Sequence, residues 1–214
     1  MNQNTKEIEI KKVFNKLIEN KIEYIVLRGF SDIPHHVSIN NDIDLICSLK
    51  EKKQINKLFS DLDYKYHEDS REVNTYLYHA QPHEHFYCKR RDLHFDIVYS
   101  LSYRSPNMGE WVSVHEEIQS SIWENKITNN KFWLYQPSNT DLVVHLICHS
   151  IFDKKEFKNK HIKQIEEALS NIDNQRYYYL LELVFFKFTP FLIEYIKGKD
   201  YKEIIKNYLQ FKEY

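Results

Sequence analysis

Asp42, Asp44 and Asp96 are the residues of this chain whose types and spacing best suit chemistry. Asp42 and Asp44 lie two apart in Asp42-Ile43-Asp44-Leu45-Ile46-Cys47, a run that alternates polar and apolar as a strand with one wet face does. On a strand, residues two apart project from the same face. Two carboxylates held that way are costly to crowd unless a cation sits between them. Mg²⁺ suits the arrangement, because it takes a few carboxylates and completes its octahedron with water and substrate phosphates; Mn²⁺ is an alternative. Asp96 lies in a second strand-like run, Leu93-His94-Phe95-Asp96-Ile97-Val98, and supplies a third acid if the two runs pair. Three acids can hold two ions about 4 Å apart, one activating a nucleophile and one steadying a leaving group. An Asp-x-Asp pair alone is a weak signal, so the surrounding elements must carry the argument.

Those elements are legible in outline. Ile10, Val13, Phe14, Leu17 and Ile18 stand at helical spacing within residues 5–20, with Thr5 as a candidate N-cap. The β-prone run Tyr24-Ile25-Val26-Leu27 stops at Arg28-Gly29, and residues 30–41, with Pro34 and two asparagines, read as a loop. Residues 50–62 return to helical spacing through Ile55, Leu58, Phe59 and Leu62. Strand-like runs follow at 76–79, 85–88 and 93–101, the last two joined by a tight turn at Lys89-Arg90-Arg91-Asp92. Beyond about Asn107 the spacing becomes helical: near 113–124, 140–152, 160–170, 175–188, 190–197 and 200–212, with a short extended piece at 131–135. Ser138-Asn139-Thr140-Asp141 is a helix-start signal. The expected class is α+β: a small mixed β-sheet lobe with flanking helices over 1–108, then an α-helical lobe over 109–214.

Composition removes several classes of function. The 214 residues hold 30 basic and 31 acidic side chains, a net charge of −1, so no broad nucleic-acid surface is expected. Only three glycines occur, which rules out Gly-rich phosphate loops of the P-loop and Rossmann kinds. No apolar run reaches the roughly 18 residues of a membrane span, and the amino-terminal stretch has no apolar leader core, so a cytosolic location is expected. Cys47, Cys88 and Cys148 form no Cys-x-x-Cys pair and read as thiols of a reducing compartment. Sixteen tyrosines and just two alanines read as nucleotide bias of an A+T-rich genome.

The order strand–Gly29, Asp-x-Asp thirteen positions on, then a distal strand Asp resembles the DNA polymerase beta-like nucleotidyltransferases. The segments YIVLRGFSDIP…NDIDLIC, LHFDIVYSLSY and PSNTDLVVHLICHSIF are similar to bacterial nucleotidyltransferase-like proteins of capsule and other surface-polysaccharide loci, over roughly residues 20–155. The resemblance implies that Asp42, Asp44 and Asp96 bind two Mg²⁺, and that a nucleoside monophosphate passes from a nucleoside triphosphate to an acceptor. The acceptor would be a sugar phosphate, a glycan precursor, or a protein or RNA hydroxyl. It also implies that Arg28, Gly29, Phe30 and Ser31 form the nucleotide-binding turn. The family has Ser or Gly after the glycine, whereas this chain has Phe30, with Ser31 one place later. Two other enzyme classes use Asp-x-Asp with a divalent cation, glycosyltransferases and choline-phosphate-type phosphotransferases, and the distal Asp96 argues against them. Phe30 is the feature that favours a degenerate nucleotide binder or a toxin–antitoxin component.

The remaining polar clusters each have two readings. His145 and His149 share one helical face beside Cys148, a spacing that can hold zinc, but no Glu follows His145. A cleft-facing or structural role is preferred, with substrate contact as a candidate. His79, His83 and His85 read as a solvated hairpin, with His83 and His85 as candidate substrate contacts. His35 and His36 sit in the loop between Gly29 and Asp42. Arg90, with Lys89 and Arg91, is either a charged surface turn or cationic help for a polyphosphate. The basic run Lys154 to Lys163 reads as a solvated face, and the aromatic stretch 177–191 as core.

Overall fold

The structure, a computed structural model, describes residues 3–68, 75–105, 109–130 and 134–211. It divides into two compact units, the first holding Met1–Leu101 and Lys126–Pro137, the second Ser102–Asn125 and Ser138–Tyr214. The chain therefore passes between units three times.

The first unit is built on α1 (Gln3–Glu19), whose inward positions Ile10, Val13, Phe14 and Leu17 are all essentially buried. α1 starts ahead of Thr5, which is thus inside the helix. It closes with Ile22 N–H donating to Leu17 O and Lys21 N–H to Ile18 O, and Lys21 takes the left-handed conformation (φ 57°). The turn delivers the chain to β1 (Tyr24–Val26), antiparallel to β2 (Ile43–Cys47). After α2 (Lys52–Asp61) come β3 (Lys65–Glu68), the short β4 (Tyr76–Leu77), β5 (Glu84–Cys88) and β6 (Leu93–Val98). The main sheet runs β1-β2-β6-β5-β3, mixed because β2 and β6 are parallel while its other pairs are antiparallel.

Alternation gives this sheet two unlike faces. Ile43, Leu45, Cys47, Phe86, Cys88, Leu93, Phe95 and Ile97 join the core that α1 and α2 cover. Their neighbours Asp44, His85, Tyr87, His94 and Asp96 must then point to the opposite face. Phe59 anchors the core, with ring centroids 4.4 Å from Phe86, 5.2 Å from Phe95 and 5.2 Å from Tyr64. Arg91, expected in a charged turn, is buried instead. Its Nη1 donates to Leu62 O, its Nε lies 2.9 Å from Glu9 Oε2, and its guanidinium stands over the Tyr64 ring. The charge is thus spent on tying α1 to the end of α2. A hairpin of β9 (Ile127–Asn129) and β10 (Leu134–Gln136) completes the unit, with Tyr135 against Tyr24. Residues 131–133 of the expected extended piece lie outside the described residues, and Leu134–Gln136 is a strand.

In the second unit β7 (Ser102–Arg104) pairs antiparallel with β8 (Trp111–Ser113). Then come α3 (Glu116–Glu124), α4 (Asn139–Cys148), α5 (Asn159–Leu169), α6 (Asn174–Phe185), α7 (Thr189–Gly198) and α8 (Tyr201–Gln210). The helix-start signal at Ser138 is realised: its hydroxyl accepts from Asp141 N–H. The helix expected over 140–152 changes to a π-helical turn at His149–Lys154. The aromatic stretch divides by face, with Tyr177, Phe185 and Phe188 buried and Tyr178, Tyr179, Phe186 and Phe191 exposed. No described helix is long and apolar enough to cross a membrane.

The Phe59 cluster sets a test of this packing. Phe59→Ala is expected to lose about 3–5 kcal/mol of unfolding free energy in urea denaturation, the usual cost of emptying a buried aromatic site. Ile8→Ala, at a side chain 64% exposed, is the control and should stay within about 0.5 kcal/mol of the parent.

Candidate active site

The parallel register sets Asp44 directly opposite Asp96. Adjacent strands are about 4.8 Å apart, so the two carboxylates meet on the non-core face. Asp42 precedes β2 and joins them: one ligating oxygen from each of Asp42, Asp44 and Asp96 lies within 4.8 Å of the others. Among the described residues no other such group of three metal-ligating side chains occurs. The three acids singled out from the sequence are therefore brought together, and their all-oxygen donor set is the kind that Mg²⁺ and Mn²⁺ prefer.

The protein itself partly neutralises these acids. Arg28, next after β1 and Leu27, places Nη2 2.6 Å from Asp44 Oδ1. Its position is fixed because Leu27 N–H donates to Asp44 O at 3.0 Å, extending the β1–β2 ladder by one residue. His83 Nδ1 lies 3.3 and 3.4 Å from the two Asp96 oxygens, and His85 Nδ1 lies 3.7 Å from Asp96 Oδ1. His85 Nδ1 also meets His94 Nε2 at 3.1 Å, while His94 Nδ1 is 4.0 Å from Asp42 Oδ2. Tyr87 stacks on the His94 imidazole with centroids 4.0 Å apart. His94 and Tyr87 were not singled out from the sequence. The signal was the alternation itself, since His94 shares a face with Asp96 and Tyr87 with His85.

The electrostatics follow from burial and crowding. Asp44 is pushed up to about 7: burial raises it most, Arg28 pulls it back, and the charges of Asp42 and Asp96 add to the rise. Burial also acts to raise Asp96, but there the hydrogen bond and charge of His83, with His85 and Arg28 behind, win and hold it well below the ordinary carboxylate range. His94 is lowered, chiefly by burial, against the attraction of Asp42 and Asp96. Asp96 Oδ1 is buried and accepts no hydrogen bond among the described residues. A buried carboxylate oxygen left that way, beside two more acids, is a position a cation would satisfy. The residues present therefore fit a divalent cation, provided Arg28 yields Asp44 Oδ1.

Gly29 has φ 67°, the left-handed region, and opens the 3-10 turn Phe30–Asp32. Glycine is needed there for its backbone, not for space: a Cβ would meet only Asp32 Oδ2 at 3.8 Å. Phe30, the departure from the family pattern, packs its ring against the hydrophobic core, and Ser31 is exposed. The rest of the loop is tied down by Lys6, whose Nζ donates to Val37 O and Asp92 Oδ2, and by Asp92 Oδ1, which accepts from Ile39 N–H. His35 and His36 are exposed.

The remaining candidates lie elsewhere. Arg90 is exposed, with Asp63 3.5 Å away, and is not among the partners of the three acids. His79 is likewise exposed. His145 and His149 belong to the second unit: His145 Nδ1 meets Tyr103 Oη at 2.7 Å, and His149 Nδ1 meets Asp153 Oδ2 at 2.8 Å. Both imidazoles are buried, with ring centroids 5.9 Å apart in stacked contact.

No family model and no curated protein matches the chain. Among solved structures, the antibiotic-resistance factor ANT(2'')-Ia, an aminoglycoside nucleotidyltransferase, superposes over 94% of this chain and 99% of its own, with a TM-score of 0.50 at 10% identity. The chain shares the mixed α+β fold of that protein. Within that fold, the acids at Asp42, Asp44 and Asp96 form a cluster able to bind metal.

The Arg28–Asp44 contact has a titration that reports on it. A guanidinium favours the charged form of a carboxyl group, so Arg28→Gln should move the Asp44 midpoint further up from its starting point near 7. Carboxyl-carbon NMR on selectively labelled protein reads this directly. An unchanged midpoint would show that the contact is not made in solution.

Proposed function

We propose that the protein is a Mg²⁺-dependent nucleotidyltransferase that moves a nucleoside monophosphate from a nucleoside triphosphate to a hydroxyl acceptor. The observation that carries this reading is the convergence of three acids from β2, its leading edge and β6 on one face of a sheet with this fold. When bound, the divalent ions would offset charge on the attacking and leaving oxygens of an in-line displacement.

The chain's own residues supply the rest. Asp42, Asp44 and Asp96 would hold the cations, and His83 and His85 orient the Asp96 carboxylate. The left-handed turn at Gly29 sets the backbone around Ser31 for a triphosphate, and Arg28, now on Asp44, would turn to phosphate oxygens once Asp44 served a cation. The acceptor oxygen bonds to the α-phosphorus as the bond to the bridging oxygen breaks. Pyrophosphate leaves, and the hydroxyl proton passes to solvent. The acceptor is a sugar phosphate, a glycan precursor, or a protein or RNA hydroxyl, met in the cytosol.

A second reading rests on two observations: Arg28 already occupies Asp44, and Phe30 is committed to the core. On that reading the chain binds nucleotide without transferring it. Calorimetry with each nucleoside triphosphate and Mg²⁺, paired with a pyrophosphate assay against sugar phosphates, aminoglycosides and cell extract, separates the two. Transfer predicts pyrophosphate release that Asp96→Asn lowers by roughly a hundredfold or more, the scale for losing a key electrostatic stabiliser. Binding without release supports the second reading, and failure of every triphosphate to bind contradicts both.

A further inference from the structure

The non-core face of the main sheet carries more than the three acids. Strand pairing lays two rows across it. In one, Asp44, Asp96 and His85 are register partners, and the row ends at His67 on β3. In the other, His94 stands between Asp42 and Tyr87, and Tyr87 is the register partner of Lys65. Contacts place both rows on one face: His85 Nδ1 lies 3.7 Å from Asp96 Oδ1, and the Tyr87 and His94 rings stack with centroids 4.0 Å apart. His67 meets the Tyr87 ring at 5.0 Å with the two planes at 88°. Their strand neighbours Phe86 and Cys88 are in the core on the other face. His85 and Tyr87 are half-buried, and His67 and Lys65 are exposed. A strip of rings thus runs from the acids to the edge of the sheet.

This strip lies on the flank that an acceptor needs. Arg28 and Gly29 follow β1, on the opposite side of the acids in the order β1-β2-β6-β5-β3. In an in-line displacement the attacking oxygen approaches opposite the leaving oxygen. With pyrophosphate over the Gly29 turn, the acceptor comes in over β5 and β3. The donor's own ribose leaves the α-phosphorus at right angles to that axis, so the donor nucleoside does not lie along the strip.

The chemistry of the strip is that of an amphipathic ring. Tyr87 and His67 form a right-angled aromatic corner, a surface for a flat apolar face. The ring nitrogens of His85 and His94 and the Tyr87 hydroxyl add hydrogen-bonding atoms beside it. Lys65 ends the second row three strand spacings from Asp42, about 14 Å, and an ammonium on a flexible stem suits phosphate. A sugar in its ring form offers the matching groups, a C–H face rimmed by hydroxyls.

We propose that Tyr87, His67 and Lys65, beside Asp96, form the acceptor subsite and take a sugar phosphate, its ring against the aromatic corner, its phosphate at Lys65 and a hydroxyl at Asp96. The inference rests on the nucleotidyltransferase reading and chooses among its acceptors.

The test is calorimetry with Mg²⁺ and a non-hydrolysable nucleoside triphosphate present, using glucose 6-phosphate and its open-chain counterpart sorbitol 6-phosphate as probes. The ring form should bind at least fivefold tighter. Tyr87→Leu should erase that preference, and Tyr87→Phe, which keeps the ring, should retain it. His67→Leu, on the exposed edge strand, gives the same readout if circular dichroism shows Tyr87→Leu misfolded. Lys65→Gln should weaken both probes at least threefold. Four results would overturn the proposal while leaving the nucleotidyltransferase reading in place: triphosphate binding with neither probe bound, equal binding of the two probes, a ring preference that survives Tyr87→Leu, or a Tyr87→Leu that weakens the triphosphate instead of the sugar phosphate. If no triphosphate binds, that reading fails and this inference fails with it.

Discussion

Everything at the acidic site depends on one register. Asp44 and Asp96 are paired residues of neighbouring parallel strands, so the fold presses two carboxylates together and adds Asp42 beside them. Two like charges 4 Å apart repel by about 4 kcal/mol at an effective dielectric near 20. A stable fold tolerates that only with compensation close at hand. Here it comes from Arg28 on Asp44 and from the His83 imidazole on Asp96. Burial, with the neighbouring acids adding to it, raises the affinity of Asp44 for a proton, while the hydrogen bond and charge of His83 lower that of Asp96.

The other face of the same sheet explains why the register holds. A one-residue slip of β2 against β6 would turn Leu45 or Phe95 out of the core and bring an acid in. The core formed by α1, α2 and the sheet therefore fixes the carboxylates as firmly as it fixes its own side chains. Phe30 and Arg91 show the same economy. Each looks like a binding or surface residue in a linear reading, and each is drawn inward, the one to apolar packing and the other to Glu9 and Leu62 O.

The sequence made the three acids visible because their signal is local, an alternation within two short strands. It also carried the helix faces of α1, α2 and the second unit, and the capping serine of α4. Other features had no local signal. β3, Lys-Tyr-His-Glu, is a polar edge strand recognisable only once β5 lies beside it. β9, Ile-Thr-Asn, is as exposed as a loop, and β8 is three residues long. The part of Arg28 was hidden for a different reason: a residue next to a conspicuous glycine reads as a phosphate ligand, and only the extended β1–β2 ladder shows that its guanidinium lies on Asp44. His94 and Tyr87 were readable from strand period but stand out only when Asp42 is placed.

The chemistry of this face depends on whether a divalent ion takes up the position between these acids. Anomalous diffraction at the manganese edge, from crystals grown with Mn²⁺ and a non-hydrolysable nucleoside triphosphate, answers that in one experiment. Anomalous density bounded by the carboxylates of Asp42, Asp44 and Asp96, with the Arg28 guanidinium moved off Asp44, is the predicted result. Absence of density there, with Arg28 still seated on Asp44, would contradict it.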